Sequence, residues 1–178
     1  MTEKLVYDGE IFKVYEWQQK MFDGSFKTFE KVVRKSSVQL LVIKNNKLML
    51  YNEKQPDKGS FISLPGGMVE WGEEFLDGAK RELLEETGLE GDFKLIKEVD
   101  FGTNFKWKTQ YFVVKNVNKV SEPRLDNGEI IDAFYVSFDE FYNYTQREDF
   151  RNKYFSNYLK LKKLDGTLNE FKSLLGLN

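Results

Sequence analysis

Three glutamates, Glu82, Glu85 and Glu86, are spaced so that one face of a helix would present all of them. They fall within an arc of roughly 100°, because residues three and four apart are neighbours on a helix surface. Like charges at this spacing destabilise an isolated helix by roughly a few tenths of a kcal/mol. Clustered carboxylates are also the hard oxygen ligands that Mg²⁺ and Mn²⁺ prefer, and Mg²⁺ commonly lies between carboxylates and substrate phosphates. The spacing therefore favours a divalent-cation site that acts on a phosphate compound.

The residues around these acids predict a glycine-rich loop that leads into a short helix. Glu73 and Glu74 suit the positive end of that helix, and Gly88 supplies the left-handed residue that ends it. Gly66 and Gly67 allow the backbone to come close to a ligand, and a carbonyl group there can serve as a neutral metal ligand. An apolar stripe beside the acids is expected to anchor the helix in a core: Phe75, Leu76, Ala79 and Leu83.

The stretch 67–89 resembles the complete Nudix box. A surface helix rich in glutamate is the alternative explanation, but it accounts only for the acids and not for the other positions at their spacings. The resemblance implies a Nudix hydrolase that cleaves the diphosphate of a nucleoside diphosphate linked to another moiety. The residues that carry it are Gly67, Glu73, Arg81, Glu82, Leu83, Glu85, Glu86, Gly88 and Leu89.

The resemblance implies a metal site in this box. Glu82, Glu85, Glu86 and the carbonyl group of Gly66 are the expected ligands of Mg²⁺ (or Mn²⁺). The bound cation would neutralise the diphosphate and lower the pKa of a water for in-line attack on phosphorus.

Other residues are implied to support the reaction. Glu82 or Glu129 would accept the proton, although Glu129 could equally be a solvated loop acid, and Asp126 and Asp132 are its neighbouring alternatives. Arg81 would orient the carboxylates with the help of Glu73, and three positions of the box are expected to be structural: Gly67, Glu73 and Gly88.

Composition limits the other chemistries that are open to the chain. Its 178 residues include no cysteine and no histidine, which excludes disulfides, thiolate ligands, a Cys nucleophile and any imidazole base. A count of 27 basic against 29 acidic residues, without a long basic run, argues against a nucleic-acid polymer as the main partner. No apolar signal region and no long apolar run is present, so we expect a cytoplasmic protein that does not enter a membrane.

The first part of the chain alternates between apolar and polar residues around a turn at Asp23-Gly24, which predicts an antiparallel hairpin. Its aromatic residues, including Trp17 and Phe29, could pack in a core, form an interface or stack on a base. Such an extension resembles that of the ADP-ribose pyrophosphatase branch of the Nudix family. There it typically exchanges between two subunits and helps to hold the adenine, which implies a homodimer.

The remaining pattern predicts an α/β protein with the Nudix fold: a mixed β-sheet in an α/β/α sandwich, with the N-terminal antiparallel β-hairpin extension and C-terminal helices. We expect one domain, 1–178, divided into the extension (1–35), a catalytic core (36–145) and C-terminal helices (146–178). A polar loop at 52–59 carries Lys54 and Lys58, which could reach phosphate oxygens or simply be solvated. Further strands are predicted at 38–43, 47–51, 61–64, 93–99, 109–114 and 133–138, a loop at 101–107, and helices after Asp139, from Gln146 and after Thr167.

The substrate is left open between two branches of the family. The N-terminal hairpin favours a nucleotide sugar, with ADP-ribose first. However, that branch usually has Ala at the position of Gly66 and a Pro at the position of Asn104 or Phe105, whereas Leu-Pro-Gly-Gly, residues 64–67, resembles enzymes that cleave nucleoside triphosphates. A third hypothesis is a Nudix-fold nucleotide sensor without turnover, although such proteins usually lack one or more acids of the box.

Overall fold

The structure is a computed structural model, and it describes residues 2–56, 59–125 and 130–177. Within these ranges the chain forms nine strands and four helices. In chain order they are β1 (Lys4–Asp8), β2 (Phe12–Lys20), β3 (Phe26–Arg34), β4 (Ser37–Lys44), β5 (Lys47–Gln55), β6 (Gly59–Ser63), α1 (Phe75–Thr87), β7 (Leu89–Phe101), β8 (Phe105–Lys119), β9 (Ile130–Val136), α2 (Phe138–Thr145), α3 (Lys153–Leu164) and α4 (Leu168–Leu174).

The strands form one mixed sheet in the order β1-β2-β3-β8-β4-β5-β6, with β7 paired to β8 and β9 paired to β5. Strands β3 and β4 follow each other along β8, and both run parallel to it. The predicted hairpin is confirmed as β2 and β3, which are antiparallel. In its turn Gly24 has a φ of 86°, and the Ser25 amide donates to Oδ1 of Asp23 over 3.0 Å.

The loop of the box is held beside β4 as if it were a further strand. Strands β4 and β5 are paired next to their turn, and further along β4 the segment 65–69 takes the place of β5. The Val38 amide donates to the Gly67 carbonyl over 3.0 Å, and the Leu40 amide donates to the Pro65 carbonyl over 2.8 Å. This pairing fixes the glycine-rich turn of the box against the sheet.

Helices cover both faces of the sheet, which confirms the predicted α/β/α sandwich. On one face Ala79 and Leu83 of α1 pack in a core with residues of β4, β5 and β8. On the other face Phe141, Phe155 and Phe171 place α2, α3 and α4 on a second core. No helix in the described ranges has the length and apolar character needed to cross a membrane.

Two predicted loops are shorter than expected. The polar segment 52–59 is largely strand, because β5 continues to Gln55 between β6 and β9, which satisfy its backbone in spite of its polar side chains. The predicted loop 101–107 is reduced to a turn, because β7 runs to Phe101 and β8 begins at Phe105. Stacking of the Phe101 ring on the Trp107 ring, with centroids 4.5 Å apart, holds the two strand ends together.

Two details of the predicted helices were wrong. The helix expected from Gln146 begins at Lys153, after Asn152, whose side chain accepts from the Phe155 amide. The preceding Phe150 is fully buried and forms a bridge with Ile62 at the edge of β6, so this segment extends the sheet. On α1, Leu76 lies outside the buried stripe, with 41% of its surface exposed.

Candidate active site

Helix α1 is the element that carries the acids of the box. It ends at Gly88, which has a φ of 69° and whose amide donates to the Leu84 carbonyl. A Cβ at Gly88 would lie 1.9 Å from the Ser121 carbonyl oxygen. Gly88 is therefore required both by the left-handed end of the helix and by the close approach of the segment after β8.

Arg81 ties the loop of the box to the helix. Its Nε and Nη2 donate to the two oxygens of Glu73, each over 2.9 Å, and Nη2 also donates to the Met68 carbonyl over 2.9 Å. Its Nη1 donates to Glu82 over 2.9 Å and to Glu85 over 3.1 Å. These hydrogen bonds lower the pKa of Glu73 and, together with the neighbouring acids, raise the pKa of Arg81. One guanidinium group thus positions three carboxylates at once.

Glu82 lies against the glycine turn with only 14% of its side chain exposed. The pKa of Glu82 is raised to about 7, chiefly by desolvation and to a smaller extent by the charges of Glu85 and Glu73, while Arg81 opposes the shift. The carboxylate occupies the space next to Gly67, where a Cβ would lie 2.4 Å from Oε2 of Glu82. Among the described groups, Glu82 is therefore an acid whose proton affinity is tuned close to neutral pH.

Glu86 lies deeper in the fold than Glu85. Its Oε2 accepts the Gly66 amide over 3.0 Å, and desolvation followed by the charges of Glu82 and Glu53 raises the pKa of Glu86 well above its ordinary value. Gly66 has a φ of 127°, and a Cβ there would lie 2.3 Å from the Val38 carbonyl oxygen. The glycine is thus required for the turn that brings its amide to Glu86.

The expected metal ligands are close in the chain and in space, but they are not arranged as a finished cation site. In residues 2–56, 59–125 and 130–177, no three acidic side chains converge as they would around a metal ion. Arg81 binds Glu82 and Glu85, whereas Glu86 turns toward Gly66. The donor set itself fits a hard divalent cation, because desolvated carboxylates with raised pKa values gain most from a nearby positive charge.

Two polar residues of β5 that sequence reasoning missed face the same side of the sheet as α1. Tyr51 is 1% exposed, and its hydroxyl lies near the Glu86 carboxylate without completing a hydrogen bond of regular geometry in the described part of the chain. Glu53 is 6% exposed and accepts from Ser63 and Gln55, each over 2.7 Å, and from Arg151 over 3.3 Å. The alternation Met49, Tyr51, Glu53 was the signal that could have revealed them.

The predicted substrate-binding residues that the structure describes are not brought to the acids. Lys54 lies on β5 directly after Glu53 and therefore points to the opposite face of the sheet, and its contact with phosphate oxygens stays a prediction. Trp17 and Phe29 stack on each other across β2 and β3, with centroids 5.9 Å apart, on the part of the hairpin beyond its pairing with β8. Lys58 and Glu129 lie outside the described residues.

Of the alternatives to Glu129, Asp126 also lies outside the described residues, whereas Asp132 is on β9. Asp132 pairs with Asn52 and lines a cleft with Phe134 and Arg147, on the face away from Tyr51. Its position does not bring it to the acids of α1.

A cavity of about 410 Å³ borders the loop of the box on the side of the N-terminal extension. Arg34, Val69, Trp71 and Glu73 contribute to its lining, together with Trp107 of β8. The Trp71 indole donates to the Glu10 carbonyl over 2.9 Å, so this wall of the cavity is attached to the extension. The cavity thus lies between the extension, the box and the start of β8.

Comparisons with known proteins agree with this arrangement. The sequence model of the NUDIX domain matches residues 33–158, well over half of the chain. The chain is 26% identical to the methanol dehydrogenase activator of Bacillus methanolicus over 80% of each chain. It is 25% identical to the ADP-ribose pyrophosphatase of Bacillus subtilis (strain 168) over 91% of this chain and 92% of that protein. A crystal structure of an ADP compounds hydrolase has the same fold, with a TM-score of 0.69, 18% identity and 93% coverage of both chains. The chain belongs to the NUDIX family, and it is a Nudix hydrolase.

Proposed function

We propose that this Nudix hydrolase cleaves the diphosphate of ADP-ribose or of another nucleoside diphosphate sugar, with Mg²⁺ or Mn²⁺ bound at the box. The observation that carries the proposal is the placement of the desolvated carboxylates of Glu82 and Glu86 against the turn Gly66-Gly67. The bound cation would offset the charge of the diphosphate and activate a water. Glu82, Glu85, Glu86 and the Gly66 carbonyl are the groups that would hold it.

The residues of the chain supply the remaining requirements of the reaction. The oxygen of the attacking water bonds to phosphorus, the bridging P–O bond breaks, and two monophosphates leave. The proton of the water goes to a carboxylate oxygen of Glu82 or Glu129, and a pKa of about 7 suits Glu82 to accept it near neutral pH. Arg81 keeps Glu82 and Glu85 in place through its hydrogen bonds to both.

Support for a nucleotide sugar comes from the extension and from the cavity. The Bacillus subtilis relative is named ADP-ribose pyrophosphatase, and the match with it covers 91% of this chain, so it reaches into the extension. The cavity beside Trp71 offers aromatic and charged walls for the part of the substrate beyond the diphosphate. We further propose that the chain is a single Nudix domain that acts as a homodimer joined through β1, β2 and β3.

A nucleoside triphosphate is the alternative substrate, and Gly66 favours it. The φ of 127° and the contact with Val38 show that this chain needs glycine where the ADP-ribose branch usually has alanine. A turnover screen separates the two: ADP-ribose, ADP-glucose, GDP-mannose, dinucleoside polyphosphates and dNTPs are each incubated with Mg²⁺. Release of AMP from ADP-ribose should outpace dNTP hydrolysis and should stop with EDTA. Much faster turnover of dATP or 8-oxo-dGTP would contradict the nucleotide-sugar proposal.

A further inference from the structure

The hydroxyl of Tyr51 is a buried polar group that folding alone does not explain. The ring of Tyr51 lies in the core that packs against α1, and the residue is 1% exposed. In the described ranges the hydroxyl completes no hydrogen bond of regular geometry, although the Glu86 carboxylate lies near enough to interact with it. Burying a hydroxyl without a partner costs about 1–3 kcal/mol, whereas phenylalanine would fill the same space without that cost. The tyrosine therefore points to a partner with which the metal-free chain does not complete a regular hydrogen bond.

The position of Tyr51 directs its hydroxyl toward the acids of the box. On β5 it is paired with Ser63, which lies three residues before Gly66. The amide of Gly66 in turn donates to Oε2 of Glu86. The charge of Glu86 is also the strongest electrostatic influence of any residue on the Tyr51 hydroxyl. Tyr51 and Glu86 thus meet at the glycine turn from opposite sides, one from the sheet and the other from the helix.

Glu53, the other acid on this face of β5, is already engaged. Its Oε1 accepts from Gln55 and Arg151, and its Oε2 accepts from Ser63. Glu86 is less fully engaged than Glu53. The Gly66 amide donates to its Oε2 over 3.0 Å, whereas three side-chain donors reach the carboxylate of Glu53. Because a hydroxyl hydrogen rotates freely about its C–O bond, a small adjustment of the Glu86 carboxylate suffices to bring it within reach.

We propose that Tyr51 is a positioning residue for Glu86: its hydroxyl donates to the Glu86 carboxylate when that carboxylate binds a divalent cation. The Gly66 amide and the Tyr51 hydroxyl then hold the carboxylate from two directions, which fixes its plane and leaves its remaining lone pairs to the cation. This inference rests on the proposed function, because it takes Glu86 to be a metal ligand. Removal of such a supporting donor typically weakens metal affinity by about 10- to 100-fold.

Tyr51→Phe tests the inference, because the substitution removes only the hydroxyl. Mn²⁺ is titrated into the purified full chain by isothermal titration calorimetry or by the electron paramagnetic resonance signal of free Mn²⁺. The dissociation constant of the variant should rise by about tenfold. Its melting temperature without metal should equal or exceed that of the wild type, since an unpartnered buried hydroxyl has been removed. At saturating Mn²⁺ the rate of the variant should approach that of the wild type, whereas at limiting Mn²⁺ it should stay well below it.

Tyr135→Phe is the matched control. Tyr135 lies on β9, opposite Met49 of β5, and it is partly buried near Tyr51. Its loss of a hydroxyl should leave Mn²⁺ affinity unchanged. If Tyr51→Phe binds Mn²⁺ with wild-type affinity, the inference is overturned and the proposed function remains intact. A clear loss of metal-free stability would also overturn the inference, because it would indicate that the hydroxyl has a purely structural role. A wild-type chain that binds no Mn²⁺ would contradict the proposed function as well.

Discussion

The carboxylate of Glu82 occupies the space in which a side chain at Gly67 would stand. A Cβ at Gly67 would lie 2.4 Å from Oε2 and 2.5 Å from Cδ of Glu82. Arg81 donates to Oε1 of Glu82, and only 14% of the Glu82 side chain is exposed, so the carboxylate is positioned here by a hydrogen bond and by the surrounding residues. The glycine that opens the box is therefore explained by the acid that lies fifteen residues later in the same box.

Gly67→Ala should damage catalysis more than folding. The new methyl group meets the flexible end of a side chain, so the Glu82 carboxylate can move aside at modest cost in stability. Because Glu82 is then displaced from its position beside the turn, we expect ADP-ribose hydrolysis to fall by about tenfold or more. Gly66→Ala is the contrast, since its methyl group meets the Val38 backbone at a φ of 127°, and it should lower the melting temperature sharply. A normal rate in Gly67→Ala would show that the position of Glu82 is unimportant.

The box was readable in the sequence because its contacts are local. Arg81, Glu82, Glu85 and Glu86 lie within two turns of one helix, where spacing alone determines which side chains meet. The contact of Arg81 with Glu73 spans only eight residues. Periodicity along α1 therefore carried most of the information about this part of the site.

The other half of the site depends on contacts between distant parts of the chain. The hydrogen bond between Arg151 and Glu53 joins residues 98 positions apart, and no local pattern announces it. The polar composition of 52–59 also concealed the strand that carries Glu53, because sheet pairing on both sides of β5 overrides local propensity. The same error placed Lys54 in a loop, although strand alternation turns it away from the acids.

Replacing either buried acid of the box should reduce turnover strongly. Glu82→Gln and Glu86→Gln keep the shape of the side chain but remove the charge that a cation needs, so catalysis should fall by roughly 100-fold or more. Metal-free stability should stay the same or rise, because the repulsion between the two acids is relieved. Steady-state rates and metal-free melting temperatures test both expectations.

Glu74→Gln is the control for these substitutions, since Glu74 is exposed and precedes the first turn of α1. Its rate should change little. If Glu82→Gln and Glu86→Gln also remain within a factor of a few of the wild type, the chain would be a nucleotide sensor and not a hydrolase that uses its box.

The stability of the metal-free chain should fall as the pH rises from 5 to 8. Glu82 has a folded-state pKa of about 7 against an ordinary value of 4.5, so the folded chain binds its proton more tightly than the unfolded chain. The resulting stabilisation is complete below the ordinary pKa and is lost as the pH rises through the folded pKa, by up to about 3 kcal/mol. Urea unfolding in EDTA at several pH values measures this slope, which Glu82→Gln should flatten and Mg²⁺ should oppose. An equal slope in Glu82→Gln would assign the effect to other groups.

Trp71→Ala should weaken substrate binding more than the chemical step. The indole lines the cavity beside the box, and it is 39% exposed, so the fold should tolerate its loss. Losing aromatic contact of this kind costs roughly 1 kcal/mol, which corresponds to a severalfold higher KM for ADP-ribose. The value of kcat should change by less than about twofold. Leu161→Ala, on the exposed face of α3, is the control, and a lower kcat without a change in KM would remove the cavity from substrate binding.

The N-terminal extension should join two copies of the chain. Strand β1 is exposed along its whole length. It is the edge strand of the sheet, so that one side of its backbone is unpaired in the described structure. Leu5, Val6 and Tyr7 are 41%, 44% and 58% exposed, which makes this strand an apolar surface of the kind that subunits bury. Light scattering should therefore give about twice 21.0 kDa for the full chain.

Val6→Glu should shift the mass toward that of the monomer, because a charge cannot be buried at an apolar interface without a partner. Leu164→Glu, at a site on α3 that is 76% exposed, should leave the dimer intact. A wild-type monomer at micromolar concentration would contradict the homodimer, and a Val6→Glu variant that remains dimeric would move the interface away from β1.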